Sequence, residues 1–423
     1  MISRRTVLAG VAAAGAASAQ RGASQEPLNI PADSPIGRLK SRRSEAKAIT
    51  GAERSERLER ARRLMHDQKL DAIVIAGGTS LDYFTSIRWG NSERFFGAVI
   101  PAKGEPFYIS PAFEEDRARE QIAKAPGGKE AKVLVWQEDE SPYALLAQGL
   151  KDRGLATGKI GVEETMKFVF ADGLENAKLH VASATPITAG VRQIKTPAEL
   201  ALMRLASSVT LQAFEAAYRM AHVGMTHTEF GALVSAAHAK LGFPGGGLVL
   251  FDENAALPHG TTMPQRAKEG ALVLIDGGTT AEGYQSDITR TFVIGKASDK
   301  MNRVFDLVHK AQSAALKQAR PGVSAESVDA AARKVIVDGG FGPGYKYFTH
   351  RVGHGMGMDG HEWPYLVPQN KMPLAPNMTF SDEPGIYIRG EFGVRLEDDM
   401  HVTEDGAQLL TPQSHSLEDP FGK

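Results

Sequence analysis

Hydrophobic and polar positions follow two different periods along the first half of the chain. Between residues 53 and 68, apolar residues recur on one helical face, which predicts an amphipathic helix. Short apolar runs predict buried strands at 71–75 and, as a hairpin, at 96–100 and 106–109. Further helices are predicted over 113–122, 142–151 and 164–176, and further strands over 132–136 and 160–162. Strands that alternate with helices predict an α/β domain, which we place at residues 51–190.

A strong helix-start signal marks the beginning of a second domain, which we place at residues 191–423. Thr196 and Glu199 have the spacing of a capping box, and Pro197 occupies the first helical position. The following apolar pattern predicts a long helix that ends near Ala221.

The second domain contains an internal repeat. Thr226 and Ser324 each precede a predicted helix, and Phe243 and Phe341 each follow one, with both pairs offset by 98 residues. Matching start and stop signals at a constant offset indicate a duplicated ααβ unit. A duplicated half-domain has a cleft on its pseudo-symmetry axis, where both halves can contribute to one site.

The amino terminus has the features of an export signal. Arg4 and Arg5 form a twin-arginine pair, an apolar run covers 7–17, and Ala17-Ser18-Ala19 matches an A-x-A cleavage site. Residues 1–19 are therefore predicted to be a twin-arginine signal peptide, which implies a periplasmic location. Residues 20–50 are polar and lack periodicity, and they are predicted to form a flexible tether.

Composition narrows the possible partners and the chemistry. The 423 residues carry a net charge of -1, so neither nucleic acid nor an acidic membrane surface is expected as a partner. No membrane span is expected once the signal is removed, because the apolar run is too short to cross a bilayer. The chain has no cysteine, so any metal must be held by histidine, aspartate and glutamate.

A glycine-rich stretch at 353–362 holds two histidines, and a third lies just before it. His354 stands between two glycines, His361 follows seven residues later, and His350 precedes the stretch. Glycine is poor in a helix interior, so the stretch predicts a turn or irregular strand whose backbone approaches a ligand. Taken alone, the stretch is better explained as a glycine loop that carries solvated histidines.

Two aspartates precede this stretch. Asp276 follows an apolar strand and, taken alone, is compatible with an ordinary turn residue. Asp287 lies on a second predicted strand, where alternation puts it on one face with Thr289 and Thr291. An inward aspartate backed by two hydroxyls is typical of a metal ligand.

Two glutamates follow the stretch. Glu383 ends a predicted strand, and Glu397 shares a strand face with Arg395. Arg395 and Glu397 alone are compatible with a surface ion pair. Four carboxylates and a histidine on separate strands, all converging on one glycine-rich turn, favour a metal site.

These motifs resemble those of the pita-bread metallopeptidases, and most closely their proline-specific branch of Xaa-Pro aminopeptidases and Xaa-Pro dipeptidases. Asp276 and Asp287 are similar to the D-x-G and S-D-x-T-R motifs, His354 to G-H-G, Glu383 to E-P-G-x-Y, and Glu397 to R-x-E. The resemblance implies a mixed α/β and α+β fold. A creatinase-type α/β amino-terminal domain would precede a pseudo-twofold, duplicated pita-bread catalytic domain.

The resemblance also implies roles for individual residues. The metal ligands would be Asp276, Asp287, His354, Glu383 and Glu397, with Asp287 and Glu397 bridging two divalent ions. Manganese is the expected metal, with cobalt or zinc as alternatives. Glu383 would also shuttle a proton, and Arg395 would orient Glu397. His259 and His361 would bind the scissile carbonyl and the oxyanion, and His350 would line the substrate pocket.

The implied function is hydrolysis, by metal-activated hydroxide, of the bond before proline in small peptides with proline at the second position. Alternatives are a creatinase-like hydrolase or lyase that acts on another small molecule, and a non-catalytic module that binds peptides. A homodimer or dimer-based oligomer is implied as well. Trp89 and Arg94 are candidates for reaching a neighbouring subunit's site, or they belong to a surface loop.

Overall fold

The computed structural model describes residues 29–422. The predicted signal peptide, residues 1–19, lies outside the described residues, as does the first part of the predicted tether. In the amino-terminal domain the helices are α1 Gly51–Gln68, α2 Thr79–Thr85, α3 Glu115–Ile122, α4 Pro142–Lys151, α5 Phe168–Asn176 and α6 Thr185–Arg192. Its strands are β1 Ala72–Ala76, β2 Gly97–Pro101, β3 Phe107–Pro111, β4 Lys132–Trp136, β5 Lys159–Val162 and β6 His180–Ser183.

The six strands form one sheet in the order β4-β3-β2-β1-β5-β6. Strands β1, β2 and β3 are neighbours in antiparallel pairs, and the outer pairs are parallel. Apolar side chains from both faces of this sheet form two separate cores, because helices cover each face. The predicted α/β domain, with its hairpin at β2 and β3, is confirmed.

The second domain has four helices and eleven strands among the described residues. The helices are α7 Pro197–Tyr218, α8 His227–Leu241, α9 Asp299–Gln318 and α10 Ala325–Asp338. The strands are β7 Gly245–Phe251, β8 Ala271–Ala281, β9 Tyr284–Gln285, β10 Ile288–Ile294, β11 Gly353–Gly355, β12 Glu362–Leu366, β13 Thr379–Asp382, β14 Gly385–Ile388, β15 Phe392–Arg395, β16 Asp398–Val402 and β17 Ala407–Leu409.

Each half of this domain contains a sheet that packs against two helices. One has the order β10-β8-β7 and packs with α7 and α8, and the other has the order β12-β11-β13-β16-β17 and packs with α9 and α10. The residues at equivalent positions of the two halves also form the same kind of backbone bridge. Thr226 precedes α8 and forms an isolated bridge with Arg266, and Ser324 precedes α10 and forms one with Pro373. The predicted duplication is confirmed, as is the capping box that starts α7.

The prediction of a flexible tether is wrong for residues 29–50. Ile36 is fully buried and belongs to the core that α7 and α8 form. The Arg42 backbone N–H donates to the carbonyl of Leu241, and the Arg43 guanidinium lies 2.7 Å from a carboxylate oxygen of Glu282. A polar segment without periodicity can still be ordered when a few apolar residues are buried by another part of the chain.

Trp89, a candidate for reaching a neighbouring subunit or for a surface loop, is buried within its own domain. Its indole is only 7% exposed and stacks on Phe96 at 4.0 Å, with the Arg117 guanidinium 4.3 Å from its ring centre. Arg94 is partly exposed and lies 2.8 Å from Glu138 in its own domain. Its reach toward another subunit remains a prediction.

A buried polar cluster joins the two domains. The Arg57 guanidinium of α1 lies 3.1 Å from Glu199 of α7 and donates to the hydroxyl of Tyr284 at 2.7 Å. Because an unpaired buried charge is costly, this pairing fixes how the amino-terminal domain sits on the second domain. Among the described helices, none is both long enough and apolar enough to cross a membrane.

Candidate metal centre

One cavity of about 170 Å³ brings together all nine residues that the sequence nominated. Two further residues, Pro258 and Arg351, also line it. The nine are His259, Asp276, Asp287, His350, His354, His361, Glu383, Arg395 and Glu397. These residues are separated by up to 138 positions in the chain, so the cavity is a product of the tertiary fold.

Neighbouring strands position the carboxylates at this cavity. Asp276 lies in the middle of β8, which continues to Ala281 instead of ending at a turn. Thr289 of β10 is the register partner of Asp276 and also bridges to Glu397, which follows β15. Asp276 and Glu397 therefore approach the cavity from either side of Thr289. Asp287 lies two residues before Thr289 in the chain.

The glycines around His354 allow close packing of neighbouring strands. A Cβ added at Gly353 would lie 2.0 Å from the Ser381 carbonyl oxygen, and one at Gly355 would lie 2.6 Å from that of Glu362. The expectation that these glycines let the backbone approach a ligand is therefore wrong at these two positions. Only glycine lets β11 fit between β12 and β13, and this holds His354 at the cavity wall.

The potential metal ligands form three overlapping groups of three residues, and two of these groups share Glu397. Asp276, Asp287 and Glu397 form one of the two, and His354, Glu383 and Glu397 form the other, while the third group consists of Asp287, His354 and His361. Within each group the candidate ligand atoms all lie within 4.8 Å of one another. The donor set has the chemistry of a site for divalent cations.

His354 is oriented for such a role. Its Nδ1 lies 3.1 Å from the Gly355 carbonyl oxygen, which leaves Nε2 facing carboxylates of Glu383 at 3.3 Å and Asp287 at 3.9 Å. A carbonyl that accepts from one ring nitrogen fixes the tautomer that presents the other nitrogen to a metal. Burial, followed by the neighbouring His361, lowers the pKa of His354 to about 4, so the imidazole is neutral at neutral pH.

The carboxylates are too crowded to be ionised together without a compensating cation. Burial, and then the charge of Asp276, raises the pKa of Asp287 well above its usual range. Burial and then Asp287 do the same for Glu397, and burial raises the pKa of Glu383 to about 7. Like charges in a buried cavity favour protonation. Divalent cations would remove this repulsion, so the residues fit a metal centre.

Arg395 holds two of these acids in place. Its guanidinium lies 2.5 Å from Asp276 and 3.9 Å from Glu397, and it also donates to the Thr289 hydroxyl at 3.0 Å. Thr289 in turn donates to Glu397 at 2.6 Å, whereas Thr291 donates to the backbone carbonyl of Arg395. The two threonine hydroxyls therefore support Glu397 and Arg395, and not Asp287 as their strand face suggested.

Besides His354, the histidines His259, His350 and His361 line the same cavity. The His361 ring stacks on that of His354 at 3.7 Å between ring centres, and its atoms come within ligand distance of Asp287 and His354. His350 lies 2.7 Å from the Tyr387 hydroxyl, which accepts a hydrogen bond from Arg395 at 2.9 Å. Burial lowers the pKa values of both His361 and His350, so both are neutral donors or acceptors near neutral pH.

Three residues of the site were missed by the sequence argument. Tyr387 belongs to the E-P-G-x-Y motif, which could have signalled it, and Arg351 lies between two nominated histidines. Asp399 accepts from the backbone N–H of Asp287 at 3.2 Å and from the Ser207 hydroxyl at 2.8 Å. No local signal identifies Asp399, because its partners come from distant segments.

Asp382 does not line the cavity. It alternates with Ser381, whose hydroxyl faces Glu383 at 3.2 Å, and it lies opposite Asp398 in the register of β13 and β16. Burial raises the pKa of Asp382 well above its usual range, with further contributions from Asp398 and Glu383. The side chain is fully buried and is not among the residues that line the cavity.

Comparisons with known proteins agree on one family. The model of metallopeptidase family M24 matches residues 201–404, and that of the creatinase/prolidase N-terminal domain matches residues 57–194. An uncharacterized peptidase of Schizosaccharomyces pombe is 37% identical over 87% of this chain and 83% of its own length. An Xaa-Pro dipeptidase of Lactobacillus delbrueckii subsp. lactis is 32% identical over 85% of this chain and 98% of its own. The structure of dipeptidase PepE from Mycobacterium ulcerans has a TM-score of 0.82 and 31% identity, and covers 88% of this chain and 99% of its own.

Proposed function

Since this chain belongs to metallopeptidase family M24 and carries a creatinase/prolidase amino-terminal domain, we propose that it hydrolyses the bond before proline in small Xaa-Pro peptides with two divalent ions. The observation that carries the proposal is the pair of three-residue groups that share Glu397 in one cavity. The proline-containing substrate is supported by the Lactobacillus relative named Xaa-Pro dipeptidase.

The ions would be held by the two groups of ligands. Asp276, Asp287 and Glu397 would hold one ion, and His354, Glu383 and Glu397 the other. Oxygen ligands with a single imidazole suit manganese, with cobalt or zinc as alternatives. When bound, a pair of divalent ions supplies Lewis acidity toward the scissile carbonyl and lowers the pKa of water.

Glu383 is the residue placed to move a proton. When an Xaa-Pro bond breaks, the proline nitrogen must gain a proton to leave as an amine. Burial raises the pKa of Glu383 to about 7, although Arg395 opposes this rise. A carboxylate beside the ligand groups can accept a proton from water and later donate it to the leaving nitrogen.

His259 and His361 are placed to bind the substrate oxygen. Both line the cavity beside the ligand groups, and burial keeps His361 neutral with one ring N–H to donate. The amide before proline has no N–H, so a site for it must recognise the carbonyl and the ring. Hydrogen bonds to that carbonyl strengthen as negative charge develops on its oxygen.

Metal content and hydrolysis of Ala-Pro, measured on the same preparations, test the proposal. The wild-type protein incubated with Mn²⁺ is expected to bind two ions per chain and to hydrolyse Ala-Pro. Asp287→Ala is expected to lose bound metal and at least about 100-fold in turnover, because even residues that merely orient a ligand are worth 10–100-fold.

Glu404→Ala provides a matched control, because it removes one acidic charge from an exposed position. It should keep both metal and activity. A wild-type protein that hydrolyses Ala-Pro at full rate in the presence of a chelator, without bound metal, would contradict the proposal. So would a fully loaded protein that leaves Ala-Pro intact.

A further inference from the structure

Basic side chains surround a cavity at one edge of the amino-terminal sheet, and this cavity shares no residue with the metal centre. Its volume is about 610 Å³, within the roughly 300–1,000 Å³ typical of sites for small ligands. We call it the basic pocket, after the cations Arg62, Lys69, Lys103 and Arg153 that line it. Among the described residues, Asp71 is the only acid in its lining.

Three connections of the chain bring these cations together. Lys69 follows α1, Lys103 lies in the turn between β2 and β3, and Arg153 follows α4. The Ala102 backbone N–H donates to the Asp71 carbonyl at 2.8 Å, which joins the connection after α1 to the turn after β2. The cations therefore extend from backbone that the sheet holds in place.

The acids at the basic pocket are already engaged. Asp71 accepts a hydrogen bond from the Lys159 backbone N–H at 2.7 Å, which fixes its carboxylate before β1. Glu59, which does not line the pocket, pairs with the Arg62 guanidinium. The other three cations of the pocket form no ion pair with any described residue. Their charge is therefore available to a ligand.

Arg153 is oriented for binding an anion. Its guanidinium lies 4.0 Å from the centre of the Phe107 ring on β3 and donates to the Gly149 carbonyl at 2.8 Å. Stacking on an aromatic face leaves edge N–H groups of a guanidinium free for a ligand. Burial lowers the pKa of Arg153, although Asp152 opposes this, so the cation is partly removed from water without an acid in contact.

The pattern of charge selects an anion whose negative charges are concentrated. A carboxylate carries one charge, fewer than the three free cations around this cavity can bind. A phosphate group carries about −1.5 to −2 and three strong acceptor oxygens, which several cations can share. Both a lysine point charge and the fork of an arginine suit phosphate. Met65, Leu70 and Leu155 line the rest of the pocket and offer an apolar surface to an organic group.

We propose that the basic pocket binds a small phosphorylated molecule through its phosphate groups, with Lys69, Lys103 and Arg153 as the residues that recognise it. The site lies in the amino-terminal domain and goes beyond the proposed hydrolysis of Xaa-Pro bonds, which does not depend on it. A ligand that binds only the folded protein raises its stability, so occupation of the pocket should raise the melting temperature.

Isothermal titration calorimetry with inorganic pyrophosphate, at fixed ionic strength, tests the proposal. The wild-type protein is expected to bind pyrophosphate with a Kd of about 1 mM or tighter. The double change of Lys69→Met and Lys103→Met should weaken binding by about 10- to 100-fold, the range for loss of a hydrogen bond to a charged group. Arg153→Lys keeps the charge and loses the fork, so it should weaken binding less.

Lys178→Met is the matched control for Lys69→Met. Both lysines are exposed, follow a helix and have left-handed backbone angles, with φ of 66° at Lys178 and 55° at Lys69. Lys178 does not line the pocket, so its variant should bind pyrophosphate as wild type does. Asp287→Ala should also bind it as wild type does, because that change alters the metal centre alone.

Three results would overturn the inference. Binding that is lost in Asp287→Ala and kept in the double lysine variant would place the anion at the metal centre. Wild type that binds citrate as tightly as pyrophosphate would remove the assignment to phosphate. Absence of pyrophosphate binding by wild type at concentrations up to about 10 mM would leave the pocket without a ligand of this class. Equal melting temperatures of wild type and the lysine variants without pyrophosphate show that lost binding is not lost folding.

Discussion

At the scale of single residues, the position of His361 allows two roles, as a metal ligand or as a hydrogen-bond donor to the substrate. Its ring stacks on the candidate ligand His354 at 3.7 Å, and its atoms are close enough to Asp287 to share a metal. Yet the two groups that share Glu397 do not include His361, and it is more exposed than His354. A neutral, partly exposed imidazole beside the ligands is suited to donate a hydrogen bond to the substrate.

His361→Ala therefore separates binding of metal from chemistry. We expect the variant to keep its metal content and melting temperature, because neither of the two groups that share Glu397 loses a member. We expect kcat for Ala-Pro to fall by about 10²–10³, as for removal of one donor to an oxyanion. Since such an interaction is made in the transition state, kcat and kcat/KM should fall together.

Metal analysis, thermal denaturation and steady-state kinetics on one preparation check this prediction. Loss of one ion per chain would make His361 a ligand instead. A turnover near that of wild type with full metal content would rule out the role in catalysis.

At the scale of structural elements, the segment that carries His361 is anchored on the amino-terminal domain. Asp359 lies 2.5 Å from the Arg192 guanidinium of α6 and 2.5 Å from the Thr79 hydroxyl of α2. Arg192 also lies 3.3 Å from Glu362, the first residue of β12. His361 is thus held between two residues that a helix of the other domain binds.

Arg192→Met should disturb catalysis through His361. We expect metal content to be kept and kcat to fall by about 10- to 100-fold, because small displacements of catalytic groups have effects of that size. Stability should fall by about 1–3 kcal/mol, since two carboxylates lose their partner. Arg88→Met is the control, because Arg88 pairs with Asp82 at an exposed position of the same domain.

A double-mutant cycle makes this prediction specific. If Arg192 acts by positioning His361, then Arg192→Met should have almost no further effect on kcat in a His361→Ala background. Additive effects of the two substitutions would show that Arg192 acts on turnover by another route.

At the scale of the whole molecule, the ordered residues 29–50 and the interdomain cluster of Arg57, Glu199 and Tyr284 join both domains into one folded unit. We propose that residues 1–19 direct this unit to the periplasm by the twin-arginine route. That route carries folded proteins, so metal can be bound before export.

Replacement of Arg4 and Arg5 by lysine should keep the precursor in the cytoplasm, because the paired arginines define the export signal. The measurement is the distribution of precursor and mature protein between cytoplasmic and periplasmic fractions. A matched control is another adjacent arginine pair, Arg42 and Arg43, whose replacement by lysine should leave export unchanged. Mature protein in the periplasm after the Arg4 and Arg5 change would contradict the twin-arginine interpretation.

The sequence by itself determined the features that depend on short-range interactions. The capping box of Thr196 and Glu199 could be predicted because its hydrogen bonds join residues three positions apart. The repeat around Thr226 and Ser324 could be predicted because both helices start and end with local signals. The candidate ligands were recognisable from short motifs, since each lies on a strand or within two residues of one, together with the rest of its motif.

Only the tertiary structure decided the features that depend on distant partners. Ile36 is buried, and the segment around it is ordered, because α7 and α8 cover it. Asp399 supports Asp287 from a strand more than a hundred residues away, and Arg192 holds Asp359 across the domain boundary. The basic pocket of the amino-terminal domain gathers its cations from separate segments of the chain. Burial and charge pairing depend on the whole surroundings of a side chain, which no local pattern contains.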